Sequence, residues 1–163
     1  YSIKKKIPIT VADIEVTRDG GVKLEKVHYS GSKEGRLFWE LDAEAASFRK
    51  DEDIVHLKGV KLKLYASDGG VHTLTSTDGD YSGAAGLIDV AGDVRVDTND
   101  GFTLRTESLS YRSSKDLLSS EELVEIASNS GMRVSGTGME MEVESGRLKM
   151  LSGVRTYLTD AAN

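Results

Sequence analysis

The stretch Met139-Glu140-Met141-Glu142-Val143-Glu144 alternates apolar and acidic residues over six positions. Successive side chains of a strand point to opposite faces, so this alternation describes a strand with one buried and one wet face. The stretch also belongs to a longer rhythm. Met141 follows Tyr111 by thirty residues, and Tyr111 follows Tyr81 by thirty. Leu74, Leu104 and Val134 keep the same spacing, as do Ile88, Leu118 and Leu148, and Val94, Val124 and Val154. A fixed period means stacked copies of one supersecondary unit. Each copy presents one apolar face, and stacking joins those faces into a continuous apolar interior.

Outward from this stretch the same grammar recurs. Val60-Lys61-Leu62-Lys63-Leu64 and Val94-Arg95-Val96-Asp97 alternate in the same way. Asp19-Gly20-Gly21, Asp68-Gly69-Gly70, Asp78-Gly79, Asn99-Asp100-Gly101 and Ser145-Gly146 read as turns, since Asp-Gly supplies the positive φ values of tight hairpins. At the usual strand-plus-turn spacing each repeat holds roughly three strands and the chain about fifteen. The expected fold is all-β: an elongated, repetitive, antiparallel twisted open sandwich of short strands with an apolar interior. Upstream the repeat slips. Leu41, Phe48, Val55 and Leu57 lie thirty-three residues before Leu74, Tyr81, Ile88 and Val90. Gly92-Asp93-Val94 has one residue more than Gly59-Val60, which predicts a β-bulge. Leu123 and Val124 cannot both face inward on a regular strand, so a second irregularity is expected there. Leu41 to Lys50 is rich in helix formers, but the repeat register makes it a strand.

Composition narrows the function. The chain has 163 residues, 38% of them hydrophobic, enough for one domain with a real core. Its formal net charge of -6 argues against nucleic acid, because neutralising phosphates needs a basic surface. There is no Cys, which removes disulfides, thiol nucleophiles and Cys-type zinc sites. No run of apolar residues is long enough to span a bilayer. His28, His56 and His72 stand on expected strands, outside any metal-binding spacing, and read as partly exposed strand residues. Asp78-Gly79-Asp80 and Asn99-Asp100-Gly101 lack the ligand series of a calcium loop. Glu140, Glu142 and Glu144 read as a solvated strand face that discourages aggregation. No nucleophile elbow, phosphate loop or dinucleotide fingerprint is present. The expectation is a protein that is not an enzyme and needs no cofactor. Lys4-Lys5-Lys6 reads as a solvated terminus, or as a segment that follows a membrane anchor.

Val27-His28-Tyr29, Trp39-Glu40-Leu41-Asp42-Ala43 and Asp53-Ile54-Val55-His56-Leu57-Lys58-Gly59-Val60 together resemble the opening of the LptC family of lipopolysaccharide-export proteins. Thr103 to Tyr111, with Leu104, Glu107 and Leu109 inside it, resembles a unit of the same family. Gly136-Thr137-Gly138-Met139-Glu140-Met141, Gly146-Arg147-Leu148 and Gly153-Val154-Arg155 resemble its closing pattern. The resemblance covers roughly residues 11 to 158. It implies a β-jelly-roll at the periplasmic face of the inner membrane of a Gram-negative bacterium, held by an N-terminal anchor ahead of Tyr1. The partners it implies are lipopolysaccharide, the jelly-roll domain of the inner-membrane ABC transporter, and the soluble bridge protein LptA. Residues 1–10 are then a tail behind the anchor, 11–158 one jelly-roll domain, and 159–163 a C-terminal tail.

Alternation supplies the interior candidates for acyl chains: Trp39, Leu41, Leu57, Leu62, Leu64, Leu74, Val94, Val96, Phe102, Leu104, Val134, Met139, Met141 and Leu148. Met132, Met139, Met141 and Met150 cluster in the last unit, where flexible thioethers suit an adaptable apolar surface or simply fill gaps. Open β stacks have two exposed edges, and partners dock there by strand addition. The edge candidates are Val11, Ile14 and Val16 at one end, and Met150, Val154, Thr156 and Leu158 at the other. The competing expectation is a structural or adhesive β-repeat protein with a dry core and protein partners only. A carbohydrate-active solenoid would need carboxylates and aromatics clustered on an outer face, and the sequence has no such cluster.

Overall fold

The computed structural model describes residues 13–16, 21–49 and 51–158. These form ten strands: β1 (Asp13–Val16), β2 (Gly21–Lys33), β3 (Arg36–Arg49), β4 (Val55–Tyr65), β5 (Val71–Ser82), β6 (Leu87–Asp97), β7 (Phe102–Arg112), β8 (Leu117–Ser128), β9 (Met132–Glu142) and β10 (Leu148–Leu158). Each pairs antiparallel with the next, in one sheet that runs β1 to β10 in chain order. At about 4.8 Å per strand, nine spacings give a stack about 43 Å long. The all-β, antiparallel, repetitive expectation holds, and β3 carries Leu41 to Arg49 as a strand despite its helix formers.

The strand count differs from about fifteen because a repeat is one hairpin of two long strands. Asp78-Gly79 is not a turn. It lies inside β5, where Asp78 pairs with Lys58 on one side and Ala91 on the other. The turns at Asp68-Gly69-Gly70, Asn99-Asp100-Gly101 and Ser145-Gly146 stand where the sequence puts them. Asp19 and Gly20 lie outside the described residues.

Glycines inside strands mark a crease. Positive φ occurs midway along the strands at Lys26, Gly59, Gly92, Asp93, Gly138 and Gly153. One-residue register shifts fall on the same line, between Thr75 and Asp78, Ala91 and Val94, Thr106 and Ser110, Ser120 and Leu123, and Ser152 and Arg155. The two irregularities expected at Gly92-Asp93 and Leu123 are two of these bulges. At the second, Leu123 turns outward (61% exposed) while Val124 is fully buried. A bulge adds twist and bends its strand, so a row of them folds the sheet.

The fold brings the two halves of each strand face to face. Tyr29 on β2 and Tyr81 on β5 have ring centroids 5.1 Å apart. In a flat sheet, three strands and seven residues would separate them by about 27 Å. Trp39 meets the edge of the same Tyr81 ring at 5.5 Å. One wall therefore holds Val27, Tyr29, Trp39, Leu41, Leu62, Leu64, Leu74, Val94, Val96, Leu104, Val124 and Ile126. The other holds Leu24, Leu57, Tyr81, Ile88, Val90, Leu109, Tyr111, Leu118, Met139 and Met141. All of these belong to one apolar cluster.

Bulges leave backbone groups without ladder partners, and buried polar groups must be satisfied. Hydroxyls along the crease do this. Thr106 Oγ1 donates to the Leu123 carbonyl at 2.9 Å, and Ser120 Oγ to the Ser108 carbonyl at 2.8 Å. Ser76, thirty residues before Thr106, donates to the Asp78 carbonyl at 2.9 Å.

Candidate functional site

The interior between the walls is the first candidate site. Eleven of the fourteen residues expected there are buried: Trp39, Leu41, Leu57, Leu62, Leu64, Leu74, Val94, Val96, Leu104, Met139 and Met141. Phe102, Val134 and Leu148 are half-buried and pack against the same cluster. The side chains fill the space themselves, since most are no more than 1% exposed. Two concavities lie on the outer faces, one lined by Arg105, Glu125 and Arg133 and one by His28, Asp42 and Lys61.

The candidate set is lopsided. Ten of its members line the first wall, and only Leu57, Met139, Met141 and Leu148 line the second. Tyr81, Ile88, Tyr111 and Leu118 belong to the second wall and carry the thirty-residue period, which was the signal that could have added them. Alternation marks inward residues but does not reveal that a strand changes walls halfway along.

Burial leaves its mark on the phenols. Desolvation pushes the Tyr81 hydroxyl up to about 12, with Tyr29 and Asp53 adding to the effect. Tyr29 is raised by burial too. On the outer face, a hydrogen bond to the Glu40 carboxylate is the main reason Tyr65 rises to about 12.

The histidines take three different roles. His56 is exposed and bonds Asp80 at 2.7 Å. His28 is half-buried between Asp42 and Glu40. His72 departs from the expected partly exposed strand residue, since it is only 3% exposed. Its Nδ1 accepts the Asn99 amide at 3.2 Å, and its Nε2 donates to the Val143 carbonyl at 3.3 Å. Among the described residues no group of three His, Cys, Asp or Glu side chains converges as a metal site requires.

Glu144 also departs from expectation. Glu140 and Glu142 do lie exposed on β9, but that strand ends at Glu142. Glu144 sits in the following turn and folds across the opening between the walls. Its carboxylate accepts the Ser67 amide at 3.1 Å, the Ser67 hydroxyl, and Arg36 Nη2 at 3.3 Å. The hydrogen bonds from Ser67 are the first cause holding its carboxyl below the usual range, with Arg36 contributing. Contacts across 77 and 108 positions of chain leave no local signal in the sequence.

The sheet edges are the second candidate site. β1 (Asp13–Val16) is one edge and contains Ile14 and Val16; Val11 lies outside the described residues. β10 is the other edge and contains Met150, Val154, Thr156 and Leu158. Met150 packs against the core, while Val154 and Thr156 are exposed. Leu151 joins them at 50% exposure, an apolar outward residue that the alternation did not single out.

A folded-over antiparallel sheet with an apolar interior and an exposed edge strand defines a β-jelly-roll type of sandwich. The chain belongs to the LptC-related lipopolysaccharide-assembly family, whose model matches residues 15–159. It is therefore a component of lipopolysaccharide transport. No curated protein is similar enough to match. Among solved structures, LptH from Pseudomonas aeruginosa is similar: the LptA-homologous periplasmic component of the conserved lipopolysaccharide transport device. Identity is 8% over 96% of each chain, and the TM-score is 0.39. Among the described residues no helix is long and apolar enough to cross a membrane.

Proposed function

We propose that this protein binds lipopolysaccharide by its acyl chains, between its two walls, and passes it from the inner-membrane transporter to the periplasmic bridge without chemical change. The observation that carries this reading is the single apolar cluster that runs from Leu24 on β2 to Met141 on β9, in a member of this family. Exposing apolar chain to water costs about 0.8 kcal/mol per methylene, so a fourteen-carbon chain costs on the order of 10 kcal/mol. An apolar path removes that penalty along its length and needs no catalytic group. On this reading the protein works at the periplasmic face of the inner membrane, with the β1 edge toward the transporter and the β10 edge toward the bridge protein LptA.

The test is photocrosslinking from a reactive side chain placed at Trp39, Leu104 or Met141, with outward Arg105 as control. Lipopolysaccharide adducts at the three inward positions and none at Arg105 are expected when the transporter is active. Absence of adducts at all inward positions, in folded protein, would instead favour a structural repeat with a dry core.

A further inference from the structure

Residues 143–147, between β9 and β10, hold the two walls together on the side opposite the crease. Val143 is fully buried although it lies beyond the strand, so it acts as an apolar plug under the turn. Its amide donates to the Asp116 carbonyl at 3.1 Å, and its carbonyl accepts from His72 at 3.3 Å. Glu144 then binds Ser67 and Arg36. This one short turn thereby bonds the β4–β5 turn and the β7–β8 turn, the first residue of β3, and β5. Through His72 and Asn99 it also reaches the β6–β7 turn.

The strengths of these contacts are uneven. The plug is buried, but the Glu144 carboxylate is half exposed and Arg36 a third exposed, and solvent weakens such pairs. Arg36 is pulled both ways, since its unpaired nitrogen favours release while its stacking on Phe38 favours staying. Its Nη1 is buried without a hydrogen-bond partner, and its guanidinium lies on the Phe38 ring at 3.9 Å, with Lys33 over the same ring. Gly146, at positive φ, lies within the turn. The turn has one glycine of its own on which to move, and the contacts of Glu144 that close it are exposed polar ones.

We propose that residues 143–147 form a latch. While Glu144 holds Ser67 and Arg36, Val143 plugs the opening and the interior is filled by its own side chains. When those bonds release, and the His72 and Asp116 bonds to Val143 follow, the turn swings away and the walls part to admit an acyl chain. This rests on the lipid-binding reading above.

The chain has no cysteine, which makes a direct test simple. Ser67→Cys with Glu144→Cys is joined by a short bifunctional methanethiosulfonate that dithiothreitol cleaves. Uptake of a dansylated undecanoic acid is followed by its fluorescence. The linked protein is expected to lose uptake and the cleaved protein to recover it. Glu144→Ala alone should take up the probe several-fold faster than the unaltered chain. A link between Thr75→Cys and Arg95→Cys, directly opposed on the outer face, should change nothing. Equal uptake in linked and cleaved latch protein overturns the latch and leaves the lipid-binding interior standing. No uptake by the unaltered chain, the cleaved protein or Glu144→Ala, each folded by circular dichroism, overturns the lipid-binding reading and the latch with it.

Discussion

At the scale of single residues, the polar groups inside the crease decide more than their number suggests. Thr106 satisfies a carbonyl that the bulge at Leu123 frees. Thr106→Val keeps the shape and leaves that carbonyl unpaired, so it should destabilise the fold by about 1–3 kcal/mol. Urea unfolding with an unchanged slope would verify this. The buried phenols give a second expectation. Tyr81 is raised from 10.0 to about 12, so the folded state favours its neutral form. Its contribution is fully present below about pH 10 and is lost as pH rises through about 12. Stability should fall over that window, and Tyr81→Phe should flatten the fall. The inward or outward sense of most strand residues was legible in the sequence, because alternation is local. The burial of His72 was not, because its partners Asn99 and Val143 lie 27 and 71 positions away.

At the scale of elements, the crease and the latch carry opposite demands. The crease needs backbone shapes that only some residues tolerate. Gly92 has φ of 86°, and an added Cβ would come within 3.0 Å of Thr77. Gly92→Ala should cost about 1–2 kcal/mol, since a side chain in the left-handed region is strained. Chemical denaturation beside an Ala control on the outer face would measure it. The latch, by contrast, should yield to acid. The folded state holds the Glu144 carboxyl below its ordinary 4.5. Its stabilising contribution is complete above that value and is lost as pH falls through the lower folded value. Amide exchange at residues 143–147 should therefore accelerate below about pH 4.5 before exchange in β7 does. The extra residue at Gly92-Asp93 and the clash of Leu123 with Val124 made two crease points legible. The strand count falls below about fifteen because Asp-Gly serves equally as a hairpin turn and, at Asp78-Gly79, as an ordinary pair within a ladder.

At the scale of the whole molecule, the architecture separates a filled interior from a β10 edge that, among the described residues, pairs only with β9. Leu151 and Val154 are half exposed on β10, and changing surface residues of this kind normally shifts stability by less than about 0.5 kcal/mol. Leu151→Lys with Val154→Lys should leave the melting temperature nearly unchanged and weaken capture of the bridge protein in a pull-down. Unchanged capture would count against β10 as the joint. The thirty-residue period and the alternation made the stack readable from the sequence. That its apolar faces close on each other depends on the fold at the crease, which no single repeat encodes.

Because every long strand crosses the crease, each supplies a piece of both walls. A strand laid along β10 would have to kink where Gly153 kinks, or it would match only half of the edge. The folded strip thus works as a gauge for its own extension. A straight peptide can pair over one half alone, whereas a segment with its own bulge at that level prolongs both walls at once, and the apolar interior continues without a seam.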